Sequence, residues 1–443
     1  MQGRAARNIR QASKGTFHML KRMVLGAVLM AAVAGPVVAG PVVAQGVADL
    51  PILPGGAHWA AEVPSRWNGT LMLWSRGYSN RAGRPESAPA AIREVLLAQG
   101  YALAGSDYGS GGWALEQAVP AQAAVIDAFA VRYGKPRRVI AWGNSMGGLV
   151  TVALAEQHPA RIDGAVAFCS SIGGSVGMMN MALDGAFAFR TLVAPDAGIT
   201  LTSVADDRAN GERVGAALSA AMKTPEGRAR VMLAGVLAGI PGWTSPSRPA
   251  PGPADAEAQV DEIASAFVAG VFLPRGDQES RAGTGYSWNT GVDYSRQLRL
   301  SGRRGLVDAL YRKAGLDLDR ELGRLNATPR IAAVPGAVSY MERNYTPSAR
   351  PAIPLLAVQA IGDGATSPSL QRGYGDAAGR RHFASLWLWQ AGHCGFSTDQ
   401  VLASIHYLER RLDSGEWGRR PDGFIDWRPA PMLRPYWRRH ALD

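Results

Sequence analysis

The sequence has little cysteine, and this limits the metal chemistry and the cross-links available to the chain. Cys169 and Cys394 are the only cysteines among 443 residues. Four ligands with the spacing of a zinc site are missing, and so are an internal repeat and a dinucleotide fingerprint following a strand. We therefore expect neither a metal ion nor a cofactor.

Acidic residues are missing from the N-terminal stretch. None precedes Asp49, whereas six basic residues stand before the apolar run Met23–Gly35, and small residues end at Ala44. This order predicts a secretory signal peptide over residues 1–44, cleaved after Ala44, with Met19 as an alternative start. A membrane anchor is the competing interpretation, but the apolar run is too short for a span and two prolines follow it.

A basic stripe with interleaved aromatic residues is also missing. Removal of residues 1–44 takes away six basic groups and no acidic one, so the formal charge falls from +11 to +5. We therefore expect no nucleic-acid partner. The basic run Arg434–His440 predicts a solvated tail, with a weak surface or membrane contact as the alternative.

The segment Val139–Leu154, VIAWGNSMGGLVTVAL, contains the strongest motif. An apolar run ends in a tight turn around Ser145, and a helix pattern follows at once, which is the order of a nucleophile elbow. Gly143 and Gly147 flank the serine where neighbouring chain must pass closely. The pattern predicts that Ser145 attacks a carbonyl group while the N–H of Met146 binds the oxyanion.

A second match to the same pattern, Gly173–Gly177, surrounds Ser175. No strand runs directly into its first glycine, so we interpret Ser175 as a flexible loop serine rather than a nucleophile.

Alternating strand and helix patterns predict an α/β fold, a mostly parallel sheet with helices on both faces. Asn68-Gly69 predicts a hairpin between the first two strands. Mainly helical periodicity over residues 172–350 predicts a cap inserted between two core segments, 45–171 and 351–443. The predicted strands are 58–64, 70–75, 101–106, 138–142, 164–168, 354–361 and 383–390, and the predicted helices are 88–99, 116–133, 147–157, 181–193, 213–222, 229–237, 254–271, 306–314, 317–325 and 401–412.

A serine nucleophile needs a base, and the base needs an orienting acid. In this architecture the acid and then the histidine follow late strands. Asp363 comes directly after an apolar strand pattern, and His393 comes directly after the next one. We predict that these two residues complete the triad, with Asp376 as the alternative acid.

The second oxyanion donor is expected in the loop after the strand at residues 70–75, where we select the N–H of Tyr78. Cys169 and Cys394 both follow strands, so they are expected at the same edge of the sheet. In an exported protein they predict a disulfide that braces the histidine loop, and two buried thiols are the alternative.

These motifs resemble those of the α/β-hydrolase superfamily over Thr70–Phe168 and Pro354–Leu412. The chain looks similar to exported bacterial esterase-like hydrolases with large helical caps. Many relatives have His-Gly in the oxyanion loop, whereas this chain has Arg76-Gly77. We expect the long Arg76 cation to stand at the mouth of the site, paired with an acid of the cap or with a carboxylate of the substrate. Tannase-like enzymes place a cysteine beside the nucleophile, but here Asn144 precedes Ser145.

Our first functional expectation is an exported serine carboxylesterase that acts on a small-molecule or oligomeric ester. The alternatives are an amidase or peptidase with the same triad, and a catalytically inactive binding protein. We expect no stable membrane anchor, and the sequence assigns no oligomeric state. Arg76, Trp113, Tyr286 and Trp288 are the residues that we expect to line the substrate pocket.

Overall fold

The computed structural model describes residues 50–272 and 275–438, together with the backbone of residues 43–44. The predicted signal peptide therefore lies outside the described residues except at its last two positions, and so does the end of the predicted basic tail. Among the described residues, no helix combines the length and the apolar character that a membrane span requires.

Eight strands form a single sheet in the order β1-β2-β4-β3-β5-β6-β7-β8. Strands β3 to β8 run parallel to one another, whereas β2 is antiparallel to β4. The carboxyl ends of β3, β5, β6, β7 and β8 thus meet at one edge, where ligands bind in such folds. The strands are β1 Val43–Ala44, β2 Trp59–Val63, β3 Thr70–Ser75, β4 Ala102–Ser106, β5 Arg138–Asn144, β6 Gly164–Phe168, β7 Leu355–Gly362 and β8 Phe383–Ala391.

The predicted hairpin between the first two strands is wrong. Gly69 does adopt a left-handed turn with φ 87°, and the Asn68 side chain accepts a hydrogen bond from the N–H of Thr70. However, β4 lies between β2 and β3, because β3 pairs in parallel with β4 and β5. The Asn-Gly signal therefore identified a turn without identifying the partner of the strand.

Fourteen helices occur in the described part of the chain, and they cover both faces of the sheet. Along β3, Leu71 and Leu73 pack into one apolar cluster with α2 and α3, whereas Met72 and Trp74 pack into another with α1 and α14. This alternation follows from the two-residue period of a strand. The helices outside the cap are α1 Ala90–Ala98, α2 Leu115–Tyr133, α3 Met146–Gln157, α13 Pro368–Ala378 and α14 Thr398–Ser414.

The helical cap is inserted between the neighbouring strands β6 and β7. It has an apolar cluster of its own, but its first and last helices also pack on the sheet through residues such as Val176 and Met341. The division at 171/172 and 350/351 stays a prediction. The cap helices are α4 Gly174–Leu192, α5 Asp207–Ala221, α6 Pro225–Leu237, α7 Ala256–Val271, α8 Gly276–Arg281, α9 Tyr294–Leu300, α10 Arg304–Lys313, α11 Leu318–Ala327 and α12 Pro335–Tyr345.

The segment after α14 packs against the rest of the protein. The prediction of a solvated tail is therefore wrong for those tail residues that the structure describes. Met432 and Leu433 are buried. Arg434 forms an ion pair of 2.8 Å with Asp184 of α4, and the ring of Tyr436 packs edge-on against Trp288 of the cap. The basic residue at 434 is thus held by a buried acid.

Candidate functional site

Ser145 sits on a strained turn between β5 and α3. Its φ of 54° lies in the left-handed region that non-glycine residues rarely adopt, as a nucleophile elbow requires. A Cβ atom on Gly143 would stand 2.6 Å from the carbonyl oxygen of Ser75, and a Cβ on Gly147 would overlap that same oxygen. The two glycines therefore let β3 pass directly beside the turn.

The structure brings Ser145, His393 and Asp363 into one hydrogen-bonded line. The Nε2 atom of His393 lies 2.9 Å from the Ser145 hydroxyl oxygen. The Nδ1 atom of the same ring lies 2.8 Å from a carboxylate oxygen of Asp363. Because an ionised carboxylate only accepts hydrogen bonds, Nδ1 carries the proton and Nε2 is free to accept one from the serine. Asp376, the alternative acid, instead pairs with Arg372 on α13.

Asp363 is fully buried and is fixed by several donors. The N–H groups of Ala365 and Thr366 both donate to its Oδ1 atom at 2.9 Å. The Thr366 hydroxyl and the Gln359 amide reach its Oδ2 atom. Neither Thr366 nor Gln359 was predicted from the sequence. Thr366 stands three residues after Asp363 and just before Ser367-Pro368, where α13 begins. This spacing is the sequence signal for a turn in which an aspartate side chain accepts hydrogen bonds from the backbone that follows it.

The two predicted oxyanion donors, the N–H groups of Met146 and Tyr78, lie close to Ser145 in the chain or in space. Neither Met146 nor Tyr78 donates a backbone hydrogen bond within residues 50–272 and 275–438. Met146 opens α3, where the first N–H groups have no intrahelical acceptor. A Cβ on Gly77 would stand 3.4 Å from the Cβ of Ser145, so the loop that holds Tyr78 runs beside the nucleophile. This arrangement suits an oxyanion hole.

A cavity of about 620 Å³ opens over the serine and the histidine. It is formed by residues 76–78, the loop at residues 79–86, Trp113 at the end of the glycine-rich loop 107–113, and Gln278 from the cap. Tyr78 is partly exposed there, and its hydroxyl pKa is raised by burial and by the nearby charges of Asp277 and Asp207. The cavity is large enough for a substrate of drug-like size.

Arg76 lines this cavity, but the predicted acid of the cap is not its partner. Its guanidinium donates to the backbone carbonyls of Gly77, Asp107 and Ser110 at 2.9–3.2 Å. It also lies 4.5 Å from the ring centroid of Tyr108. No carboxylate in the described ranges forms an ion pair with Arg76. Its charge is therefore not held in an ion pair, although the cavity lining also includes the acidic residue Glu86.

Of the other three predicted lining residues, the structure places one at the cavity and two away from it. Trp113 lines the cavity, whereas the structure places Tyr286 and Trp288 elsewhere. Tyr286 is fully buried, and its hydroxyl donates to the Gln278 side chain of the cavity wall. Trp288 packs under the C-terminal segment.

The interpretation of Ser175 as a flexible loop serine is wrong. It lies in the first turn of α4 and is fully buried. Its hydroxyl accepts a hydrogen bond of 2.7 Å from the Trp113 indole. The second glycine-serine motif thus anchors a wall of the cavity.

An o-phthalyl amidase from Xanthobacter agilis is 31% identical to this chain in an alignment of 402 positions, which covers 82% of this chain and 87% of the amidase. A family model described as alpha/beta hydrolase fold matches residues 96–233. The chain belongs to the α/β-hydrolase family. It is a hydrolase of the α/β-hydrolase type.

Solved structures of α/β-hydrolases are similar over most of the chain, although at low identity. An esterase from Aspergillus oryzae is 12% identical, with a TM-score of 0.38, and the match covers 81% of this chain and 77% of the esterase. Feruloyl esterase B from Aspergillus oryzae is 14% identical, also with a TM-score of 0.38, over 86% of this chain and 88% of the other.

A disulfide joins Cys169, after β6, to Cys394, after β8, across 225 residues of this α/β-hydrolase. The prediction of the pair is confirmed. The two sulfur atoms and the His393 ring lie within 4.8 Å of one another, but sulfurs that are bonded to each other offer no thiolate to a metal ion. The disulfide instead ties Cys394, the residue after His393, to the end of β6, which is separated from β8 in the sheet by β7.

Proposed function

We propose that this protein is a serine hydrolase that cleaves a carboxylic ester through an acyl-enzyme. The observation that supports this most directly is the unbroken line from the Ser145 hydroxyl to Nε2 of His393, 2.9 Å, and from Nδ1 to Asp363, 2.8 Å. The same geometry in unrelated folds performs acyl transfer.

In this proposal the Ser145 oxygen attacks the substrate carbonyl while His393 takes its proton at Nε2. The tetrahedral oxyanion accepts hydrogen bonds from the N–H groups of Met146 and Tyr78, which face the developing charge. His393 then gives its proton to the leaving oxygen, and the acyl-enzyme forms. A water molecule, deprotonated by the same nitrogen, attacks the ester of Ser145 and releases the acid. Asp363 keeps the ring oriented and stabilises its charged form.

We further propose that the protein is exported. The disulfide between Cys169 and Cys394 supports export, because such bonds persist in oxidising compartments. The N-terminal pattern supports it independently, as a basic stretch, an apolar run and small residues before Gln45.

Amide hydrolysis is the second candidate, and two observations favour it. The 31% identical relative is named for an amide of the o-phthalyl group, a benzene ring with carboxyl functions on adjacent carbons. Arg76 supplies a cation at the cavity that forms no ion pair with an acid of the described chain. Such a cation suits an acyl group that carries a second, ionised carboxylate.

The test compares the wild type with Ser145→Ala on 4-nitrophenyl esters and 4-nitroanilides of the same acids. Ser170→Ala is the matched control, since the buried Ser170 hydroxyl lies nearby and has no hydrogen-bond partner in the described residues. We expect Ser145→Ala to lose about 10⁴-fold or more in kcat and the control to keep its rate.

Faster turnover of esters supports the first candidate, and comparable turnover of anilides supports the second. For the second candidate, the 4-nitroanilide of phthalic acid is compared with that of benzoic acid. We expect the extra carboxylate to raise kcat/KM at least tenfold and the advantage to shrink in Arg76→Gln. Absence of Ser145-dependent turnover, together with no labelling by a fluorophosphonate, would indicate an inactive binding protein.

A further inference from the structure

A second cavity, which we call the rear cavity, lies behind the wall of the catalytic one. Its volume is about 180 Å³. Ala365 and Thr366 line the catalytic cavity, and the next residues along the chain, Ser367 to Ser369, line the rear cavity. The two cavities therefore share one short segment as their partition. The other walls come from the end of α6, the residues just before α10, and the C-terminal segment.

Most of the rear cavity is apolar. Its lining includes the ring of Trp427 and the side chains of Val236, Ile240 and Leu433, together with several prolines. A cavity of about 150 Å³ with such walls accommodates a benzene molecule. The rear cavity therefore has room for one six-membered ring with a small substituent.

One cation interrupts the apolar lining. Arg303 contributes to the wall, and its guanidinium donates to the Ile240 carbonyl oxygen and, at 3.5 Å, to the Gln259 amide oxygen. These contacts occupy two of the five N–H groups of a guanidinium. By contrast, its neighbour Arg304 is paired with Asp308 and Asp319.

Arg303 has no carboxylate at ion-pairing distance within the described ranges. Burial is the one cause that acts on the pKa of its guanidinium, lowering it to about 10, so it stays charged at neutral pH. Arg303 is half-buried, and a partly desolvated charge without a counter-ion is less favourable than one in water, so an anion bound beside it offsets part of that cost. Ser301 and Ser369 also line the cavity. The Ser301 hydroxyl already donates its proton to the Leu298 carbonyl oxygen, whereas the Ser369 hydroxyl lies 4.0 Å from the Met181 sulfur, a weak acceptor, so rotation lets Ser369 donate to a bound carboxylate instead.

We propose that the rear cavity binds a small monocarboxylic acid with an apolar body of about one ring, held by Arg303 through its carboxylate. A planar carboxylate matches the parallel N–H groups of a guanidinium, and the ring displaces water from the apolar walls. The site is separate from the catalytic residues, and the inference does not depend on the proposed hydrolytic function.

Benzoate is the probe, and benzamide is its uncharged analogue of the same shape. Calorimetric titration of the full chain measures the binding of both to the wild type and to Arg303→Gln. Arg304→Gln is the matched control, since it removes an equal charge from the adjacent residue. We expect benzoate affinity to fall about 10- to 100-fold in Arg303→Gln, to stay unchanged in the control, and to exceed that of benzamide at least tenfold.

A crystal soaked with 4-bromobenzoate locates the ligand by anomalous scattering and needs no variant. Bromine density beside Arg303 supports the proposal even if Arg303→Gln does not fold. Density confined to the cavity of Ser145, equal affinity for benzoate and benzamide, or a folded Arg303→Gln variant with wild-type affinity overturns it.

Discussion

Replacing both cysteines with serine should destabilise the protein and slow its chemistry through separate effects. The double variant Cys169→Ser/Cys394→Ser leaves no free thiol in the sequence, so no new disulfide can form. The link closes a loop with a sequence separation of 225 residues. In the chain-entropy model a loop of that length is worth about 5 kcal/mol, and measured losses of native disulfides are about 2–5 kcal/mol. We expect the free energy of unfolding to fall within that range.

The chemical effect follows from the position of the link. Cys394 is the residue after His393, and its sulfur lies 3.4 Å from Nε2 of the ring. Without the disulfide, the loop after β8 is held by fewer constraints, and a displacement of about 1 Å at a reacting group costs about 10²-fold in rate. We expect kcat to fall between 10- and 100-fold at a temperature where the variant is fully folded, with KM changed less.

Guanidinium denaturation followed by fluorescence gives the stability, and the rate of Ser145 labelling by a fluorophosphonate reports the histidine loop. Wild-type protein treated with a reductant is the control. Counting its thiols after denaturation verifies that the disulfide has been reduced. An unchanged denaturation midpoint would refute the stability argument. A destabilised variant with the wild-type labelling rate would refute the positioning argument alone.

Three further changes test the packing around the site. Gly147→Ala should prevent folding or abolish activity, because the new Cβ overlaps backbone that cannot move aside. Gly211→Ala is the control, since a Cβ there has no atom within 4 Å. It should be neutral or should stabilise the protein by about 0.5–1 kcal/mol. Thr366→Val should lower kcat about tenfold with little change in KM, since a hydroxyl that orients the buried acid is lost, and Thr366→Ser should restore it. Burial raises the pKa of Asp184 to about 6 despite its pairing with Arg434. The folded state therefore binds this proton more tightly than the unfolded state does. As the pH rises from 5 to 7, the free energy of unfolding should fall more in the wild type than in Asp184→Asn.

Each of these expectations has a result that contradicts it. A soluble and active Gly147→Ala would mean that the turn is looser than its contacts indicate. Equal kinetics for Thr366→Val and the wild type would remove the positioning role. Equal pH dependence of the denaturation midpoints for wild type and Asp184→Asn would mean that the carboxylate is already ionised at pH 5.

The core strands were predictable because each one leaves a local pattern. The bounds of β3 and β6 agree with the sequence analysis, since both are short apolar runs between turn residues. Strand partners left no such trace, and the order β2-β4-β3 depends on contacts between distant segments. Four helices were not predicted. The helices α8 and α9 have only six or seven residues, which give too little periodicity to detect. The helices α12 and α13 were missed although each has eleven residues.

The three residues of the proposed triad were found because each one follows an apolar strand in a known chain order. Their supports were not found, because Gln359 and Thr366 act through a fold-dependent contact with Asp363. Arg76 shows the same limit. Its charge was visible in the sequence, but two of the three carbonyl oxygens that hold it, those of Asp107 and Ser110, come from a loop that only the folded chain brings close.

The insertion of the cap between β6 and β7 also affects how the chain reaches its native state. These strands pair in parallel, Phe168 opposite Val358, although the whole cap lies between them in the sequence. Closing an unstructured loop of roughly 190 residues costs about 4–5 kcal/mol of entropy. The cap has an apolar cluster of its own, so prior collapse of the cap would shorten that loop before the sheet is completed. Folding should therefore be slow, and its rate should depend on the cap more than on the strands it separates.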